Sequence, residues 1–143
     1  MMIEKNTKTA RNISWLKEVE KEEPVASFLN MKLIDLTPGY AKVKMNLLHE
    51  YQNFHKSTFG GIIMALADQA FGYASNSLAY PSVASQFSTY FIARAKSGDE
   101  LTAECRVLKS GKRAGISEVT IKNQDDKLIA RATGVTISIN YQD

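Results

Sequence analysis

Between Lys56 and Arg94 the chain carries a single Asp, Glu, Lys, Arg or His side chain, Asp68. The first half of that stretch, residues 60–79, reads as one helix. Ile62, Ile63, Met64, Leu66, Phe71 and Tyr73 cover nearly its whole circumference, and Pro81 ends it. A helix apolar on all sides is expected to be buried on all sides, so the rest of the chain must wrap around it. After Pro81 everything reads as strand. No alternation of strand and helix appears, which disfavours a parallel doubly wound sheet. The expected fold class is α+β: a mostly antiparallel sheet curled around one central helix.

At 143 residues the chain suggests one domain with a real core. A domain of this size can hardly also enclose a deep pocket for a large ligand, so such a site is expected to need a partner chain. Residues 1–12 are polar and read as a mobile tail. Residues 14–22 read as a helix with Ser14 as N-cap and Trp15, Leu16 and Val19 on one face. Pro24 breaks it, Val25, Phe28 and Leu29 suggest a short second helix, and Asn30 is the candidate C-cap. The organisation expected is a tail and short helix over residues 1–27 and a main domain over residues 28–143.

Within that domain residues 31–36 read as a strand and Pro38-Gly39 as a hairpin turn. Residues 40–48 alternate, with Ala41, Val43, Met45 and Leu47 on one face. Residues 49–59 form a polar loop. Residues 83–92 alternate around Phe87 and Phe91, and residues 101–107 around Leu101, Ala103, Cys105 and Val107. Residues 111–115 are expected to turn, residues 116–122 to form a strand, and Asp125-Asp126-Lys127 to turn again. In the last strand Leu128, Ala130 and Ala132 share one parity while Val135, Ile137 and Ile139 share the other, which predicts a bulge at Gly134.

The net charge of +3 is scattered rather than striped, which argues against a nucleic-acid binder. The single cysteine, Cys105, excludes an internal disulfide and a multi-cysteine metal site, and suits a reducing compartment. The first residues lack the apolar core of a signal peptide, and no uncharged apolar run is long enough to span a membrane. The location expected is cytoplasmic. Two histidines without cysteine partners make no zinc site. There is no Gly-x-Ser-x-Gly elbow, and Gly60-Gly61 lacks the Lys and spacing of a P-loop.

Burying a lone carboxylate is costly, so Asp68 must be hydrogen-bonded, protonated or exposed in a cleft. Its stripe on the helix holds Gly61, Met64, Ala65, Gly72 and Ser75, mostly small, which leaves room for a ligand or another helix. An Asp satisfied by backbone or by a serine is the plain alternative. Gly60-Gly61 opens the same helix, where free N–H groups attract an oxyanion and the missing side chains let a ligand approach. A tight loop-to-helix turn explains the glycines equally simply. Taken together, an anion-stabilising amide and a carboxylate suit hydrolysis of an activated acyl group.

The run Asn53-Phe54-His55-Lys56-Ser57-Thr58-Phe59-Gly60-Gly61, followed by Ala65-Leu66-Ala67-Asp68, resembles the signature of hotdog-fold acyl-CoA thioesterases of the PaaI-like (phenylacetate-type) branch. Residues 98–104, 111–115 and 128–134 are also similar to that family's strand and turn motifs, so the resemblance spans about residues 28–139. It implies a hotdog fold and hydrolysis of an acyl-CoA to free acid and CoA. It implies that Asp68 is the catalytic acid, acting as general base or nucleophile. The Gly60 N–H would polarise the thioester carbonyl, and Asn53 would position the water or the catalytic loop. It places Phe59 and Gly61 beside the substrate and lets the turn of Gly111, Lys112 and Arg113 touch the pantetheine or phosphates of CoA. The same two charges also suit a solvated hairpin tip.

Two positions depart from the family pattern. Phe59 stands where the family has His, and cannot donate a hydrogen bond to the carbonyl. Ser88 stands where relatives often carry Asn; Ser85 and Ser88 are candidates to offer a hydroxyl near Asp68, with strand packing as the alternative. The resemblance implies no metal and no cofactor beyond the CoA of the substrate. It implies a homodimer, or a tetramer by sheet or helix stacking, with Asp68 of one chain facing Gly60 of the other. The alternative is a hotdog protein that binds acyl-CoA without hydrolysing it because of Phe59. A dehydratase or hydratase would need a His near the acid, and none occurs in the helix or after it.

Overall fold

The computed structural model describes residues 2–139, with side chains from residue 6 onward. In chain order it contains helix α1 (Met2–Glu20), helix α2 (Pro24–Phe28), strands β1 (Met31–Thr37) and β2 (Tyr40–Asn46), and a 3-10 turn (His49–Tyr51). The long helix α3 (Gly60–Leu78) follows, then strands β3 (Ser82–Phe91), β4 (Glu100–Ser110), β5 (Ala114–Lys122) and β6 (Leu128–Ser138). The strands form one six-stranded sheet in the order β1-β2-β4-β5-β6-β3, with every pairing antiparallel. Helix α3 touches all six strands, which requires the sheet to curl around it. This is the hotdog arrangement expected from the sequence.

Alternation builds the core. Ala41, Val43 and Met45 of β2, Leu101, Ala103 and Cys105 of β4, and Val119 and Ile121 of β5 turn to α3 and are buried. Ala67, Ala70 and Ala74 line the helix against them, and their small side chains let the sheet approach closely. The hairpin turn at Gly39 (φ 72°) is tied to the helix end, where the Gly39 N–H donates to Ser77 Oγ at 2.9 Å. The C-cap of α2 is Leu29 and not Asn30; Asn30 stands one residue beyond it, in the left-handed conformation (φ 56°) common at that position.

Three further expectations are corrected. The segment expected as a mobile tail is helical: α1 begins at Met2 and runs through Ser14, which is an interior residue and not a cap. The turn after β4 is shorter than expected, because Ala114 and Gly115 already belong to β5. No bulge occurs at Gly134. It pairs regularly with Phe87 on one side and Ser117 on the other. Buried parity continues through Ala130, Ala132, Gly134 and Thr136, while Ile137 faces outward, 42% exposed. The irregularity lies in the partner strand, between Ala84 and Gln86. Glycine is needed at 134 for space: a Cβ there would stand 2.6 Å from the Phe71 ring and 2.9 Å from the Phe87 ring.

The two sheet edges differ. Helices α1 and α2 pack beside β1, and Glu20 Oε1 accepts the Leu33 N–H at 3.0 Å. Strand β3 is bare. Val83, Tyr90 and Phe91 on it, and Ile92 just beyond it, are 43–68% exposed. No described helix is long and apolar enough to cross a membrane.

Candidate active site

Helix α3 is not buried all round. Gly61, Met64 and Asp68 form an open stripe between β3 and α1, with Met64 37% exposed. Asp68 has no hydrogen-bond or ion-pair partner among the described residues. Its carboxyl faces the open side, yet the surrounding protein displaces enough water to push its pKa above the ordinary carboxylate value. An unpartnered carboxylate with a raised pKa, on an accessible helix face, can accept a proton from water.

The start of α3 supplies the complementary charge. Its N-cap is Phe59, which makes no side-chain cap. The Ile62 N–H bonds back to Phe59 O, while the Gly60 and Gly61 N–H groups have no acceptor among the described residues. Two rings frame these donors. A Cβ on Gly60 would lie 3.2 Å from the tip of Phe91, and one on Gly61 would lie 2.6 Å from the Phe59 ring. Phe59 therefore folds onto the helix and offers an apolar wall in place of a hydrogen-bond donor.

Asn53 organises the loop that leads into the helix. Its Oδ1 accepts the N–H groups of His55 (2.9 Å) and Ser57 (3.3 Å). The Thr58 N–H reaches Ala95 O, and the Phe59 N–H reaches Tyr51 O at 2.8 Å. Arg94 Nη2 holds His55 O at 3.0 Å. The loop is thus anchored at several points, and Gly60 is presented in one orientation.

The remaining candidates are spread out. Ser85 lies at the β3 irregularity and donates to Val135 O at 3.3 Å. Phe87 packs on Phe71 of α3 with ring centroids 5.3 Å apart, so Ser88, the next residue, points to the outer face. There its Oγ accepts from Gln86 Nε2 at 2.7 Å. The turn of Gly111, Lys112 and Arg113 is exposed at the C-terminal end of α3, beside Leu78 and Pro81. It stands about 15 Å along the helix from Asp68 and farther from Gly60.

Within one chain Asp68 and Gly60 are not together either: eight residues of helix separate them by about 12 Å. Sequence reasoning missed Thr58. Its hydroxyl is buried without a partner, in a cleft of about 330 Å³ that also borders Gly60 and Arg94. A Thr two residues before a glycine helix start gives no signal by itself. Among the described residues no group of three or more His, Cys, Asp or Glu could hold a metal ion.

Comparison with known proteins places this architecture. Residues 55–130 match the family model described as "Thioesterase superfamily". The chain is 35% identical to the acyl-coenzyme A thioesterase PaaI of Escherichia coli over 114 residues, 80% of this chain and 81% of that protein. Its fold matches the solved structure of the E. coli PaaI protein from the phenylacetic acid degradation operon with a TM-score of 0.86 and 32% identity, covering 94% of this chain and 95% of that one. A Streptococcus mutans protein solved bound to acetyl CoA matches with a TM-score of 0.76 and 26% identity, over 79% of this chain and 91% of that one. The chain belongs to the thioesterase superfamily, in its PaaI-like branch.

Proposed function

We propose that this protein is an acyl-CoA thioesterase that works as a homodimer, each site taking Asp68 from one copy and the Gly60 N–H from the other. Water attacks the thioester carbonyl carbon and passes its proton to Asp68. The carbonyl oxygen gains the negative charge and is held by the Gly60 N–H at the positive end of α3. Collapse breaks the C–S bond and releases the acid and the CoA thiolate. A thiolate leaves with little need for protonation, since thiols ionise near about 8.5. Asn53 keeps the loop in place so that the amide needs no reorganisation during the reaction.

The observation that carries this reading is the 12 Å gap itself. A reacting carbonyl must sit about 3 Å from both the base and the oxyanion donor, and no single α3 can satisfy both. The bare β3 edge beside the open α3 stripe is the natural seat for a second copy, because unpaired strand edges with exposed apolar side chains invite pairing. The acyl-CoA thioesterase similar to this chain and the acetyl-CoA-bound relative support the substrate class. Lys112 and Arg113 lie too far from Asp68 of their own chain to touch the thioester and are assigned to the far end of CoA, whose phosphates suit paired cations.

Phe59 favours a second reading, acyl-CoA binding without hydrolysis, because its ring offers no donor. A thiol-release assay over short, medium, long and aromatic acyl-CoAs separates the two. Turnover that disappears in Asp68→Asn supports the enzyme. CoA binding with no thiol release from any acyl-CoA overturns it in favour of the binding protein.

A further inference from the structure

One turn past Asp68 the open stripe of α3 runs into a groove of about 570 Å³ where α1 crosses the helix. Gly72 forms its floor: a Cβ there would meet no atom within 4 Å. Gly72 follows Asp68 by four residues, so it lies about 6 Å along the axis and about 40° around it, on the same side of the helix. Trp15 and Val19 of α1 form one wall. Trp15 also meets Tyr80 edge-on, with centroids 4.9 Å apart.

The far end is rigid. Asn76 Nδ2 donates to Gly72 O (2.9 Å) and Ser82 O (3.1 Å), and its Oδ1 accepts the Ser82 N–H at 2.9 Å. That clamp sits about 12 Å beyond Asp68. Two carboxylates mark the rim. Glu23 is engaged by the Tyr73 hydroxyl and by Gln69 Nε2. Glu22 is exposed and has no side-chain partner among the described residues.

We infer that this groove receives the acyl group of the substrate, and that it selects neutral, apolar acyl chains of medium length. The inference rests on the thioesterase reading. A carbonyl held at Asp68 directs its acyl chain either to solvent or along the stripe over Gly72. Only the second path buries apolar surface, against Trp15, Val19 and Tyr80. The Asn76–Ser82 clamp limits its length. Glu22 and Glu23 repel an acyl group that ends in a second carboxylate, so discrimination comes from a repulsive element as well as an attractive one. Helix α1 lies before the residues matched by the family model, so one wall of the groove comes from the N-terminal segment.

The test compares kcat/KM for acetyl-, octanoyl-, palmitoyl- and glutaryl-CoA in wild type, Gly72→Leu and Glu22→Lys. Wild type is expected to prefer octanoyl-CoA. Gly72→Leu fills the open space on the groove floor, where a Cβ meets no atom within 4 Å, so it is expected to fold, and to lower the octanoyl-to-acetyl ratio at least tenfold. Glu22→Lys is expected to raise the glutaryl-to-octanoyl ratio at least fivefold. Thiol release with unchanged ratios in both variants, or a tenfold wild-type preference for palmitoyl-CoA, would overturn this assignment and leave the thioesterase reading standing. A wild type that releases thiol from none of the four overturns both.

Discussion

Gly60 and Asp68 lie on one helix, their backbone positions about 12 Å apart along its axis. Both are unpartnered among the described residues; Asp68 is exposed on the open stripe of α3, while Gly60 is half-buried beside the Phe91 ring of β3. The amide and the carboxylate are therefore complementary parts that one chain holds apart.

Asp68→Asn is expected to lower turnover at least 100-fold, the scale of losing a positioned general base, while CoA binding persists. Its stability should change the other way. The folded-state pKa of Asp68 is raised, so the folded protein keeps this proton to higher pH than the unfolded chain does. Stability falls as pH rises from the unfolded carboxylate value of about 3.9 through the folded one. Asn carries no such cost. Thermal melts should put Asp68→Asn at or above wild type at pH 7, with the difference gone below about pH 4. The acidic limb of the wild-type pH–rate profile should lie above an ordinary carboxylate pKa.

Two glycines make a paired stability test. Gly72 is mid-helix with open space around it, so Gly72→Ala should stabilise by about 0.5–1 kcal/mol. Gly134→Ala forces a methyl into the rings of Phe71 and Phe87, in a core where Phe71 is 1% exposed, and should destabilise by about 1–3 kcal/mol. Urea denaturation of both variants checks the opposite signs.

The central helix, its lone acid and the inward faces of β2 and β4 were legible because periodicity reports burial directly. What was missed has physical causes. The segment before Ser14 has no apolar stripe, so it reads as tail, although Lys8, Ala10 and Arg11 are good helix formers. The bulge assigned to Gly134 assumed that Val135 and Ile137 must point inward. Apolar residues also occupy outer faces, and Ile137 does so here. The expectation that α3 is buried all round failed for an instructive reason: the open stripe is the part of the helix the chain leaves for something else. Thr58 and the groove over Gly72 depend on contacts between distant segments, which no local pattern encodes.

Cys105 should be chemically silent. It is fully buried, and burial pushes its thiol up to about 12, with a hydrogen bond involving Ser117 pulling slightly the other way. Its thiolate population at pH 8 is negligible. A thiol-reactive dye should label no site in native protein and one site after denaturation, which also makes thiol-release assays free of background.

Phe59→His tests the residue that departs from the family pattern. The Phe59 ring covers Gly61, and a His there places a ring N–H beside the free amides at the start of α3. Steady-state kinetics should show kcat equal to or above wild type. A complete loss of activity in folded protein would mean that the Phe59 ring itself shapes the substrate path.

The most direct test of the shared site is complementation between two inactive variants. Gly60→Pro removes the amide donor at the first position of α3, where proline is tolerated, and Asp68→Asn removes the base. Each alone is expected to be inactive while remaining folded and dimeric. After mixing and subunit exchange, half of the dimers are mixed, and each mixed dimer has one site with an intact Gly60 and an intact Asp68 from different chains. Activity should return to about a quarter of wild type. A mixture that contains the mixed dimer and shows no activity would place both groups of each site in one chain and contradict the account.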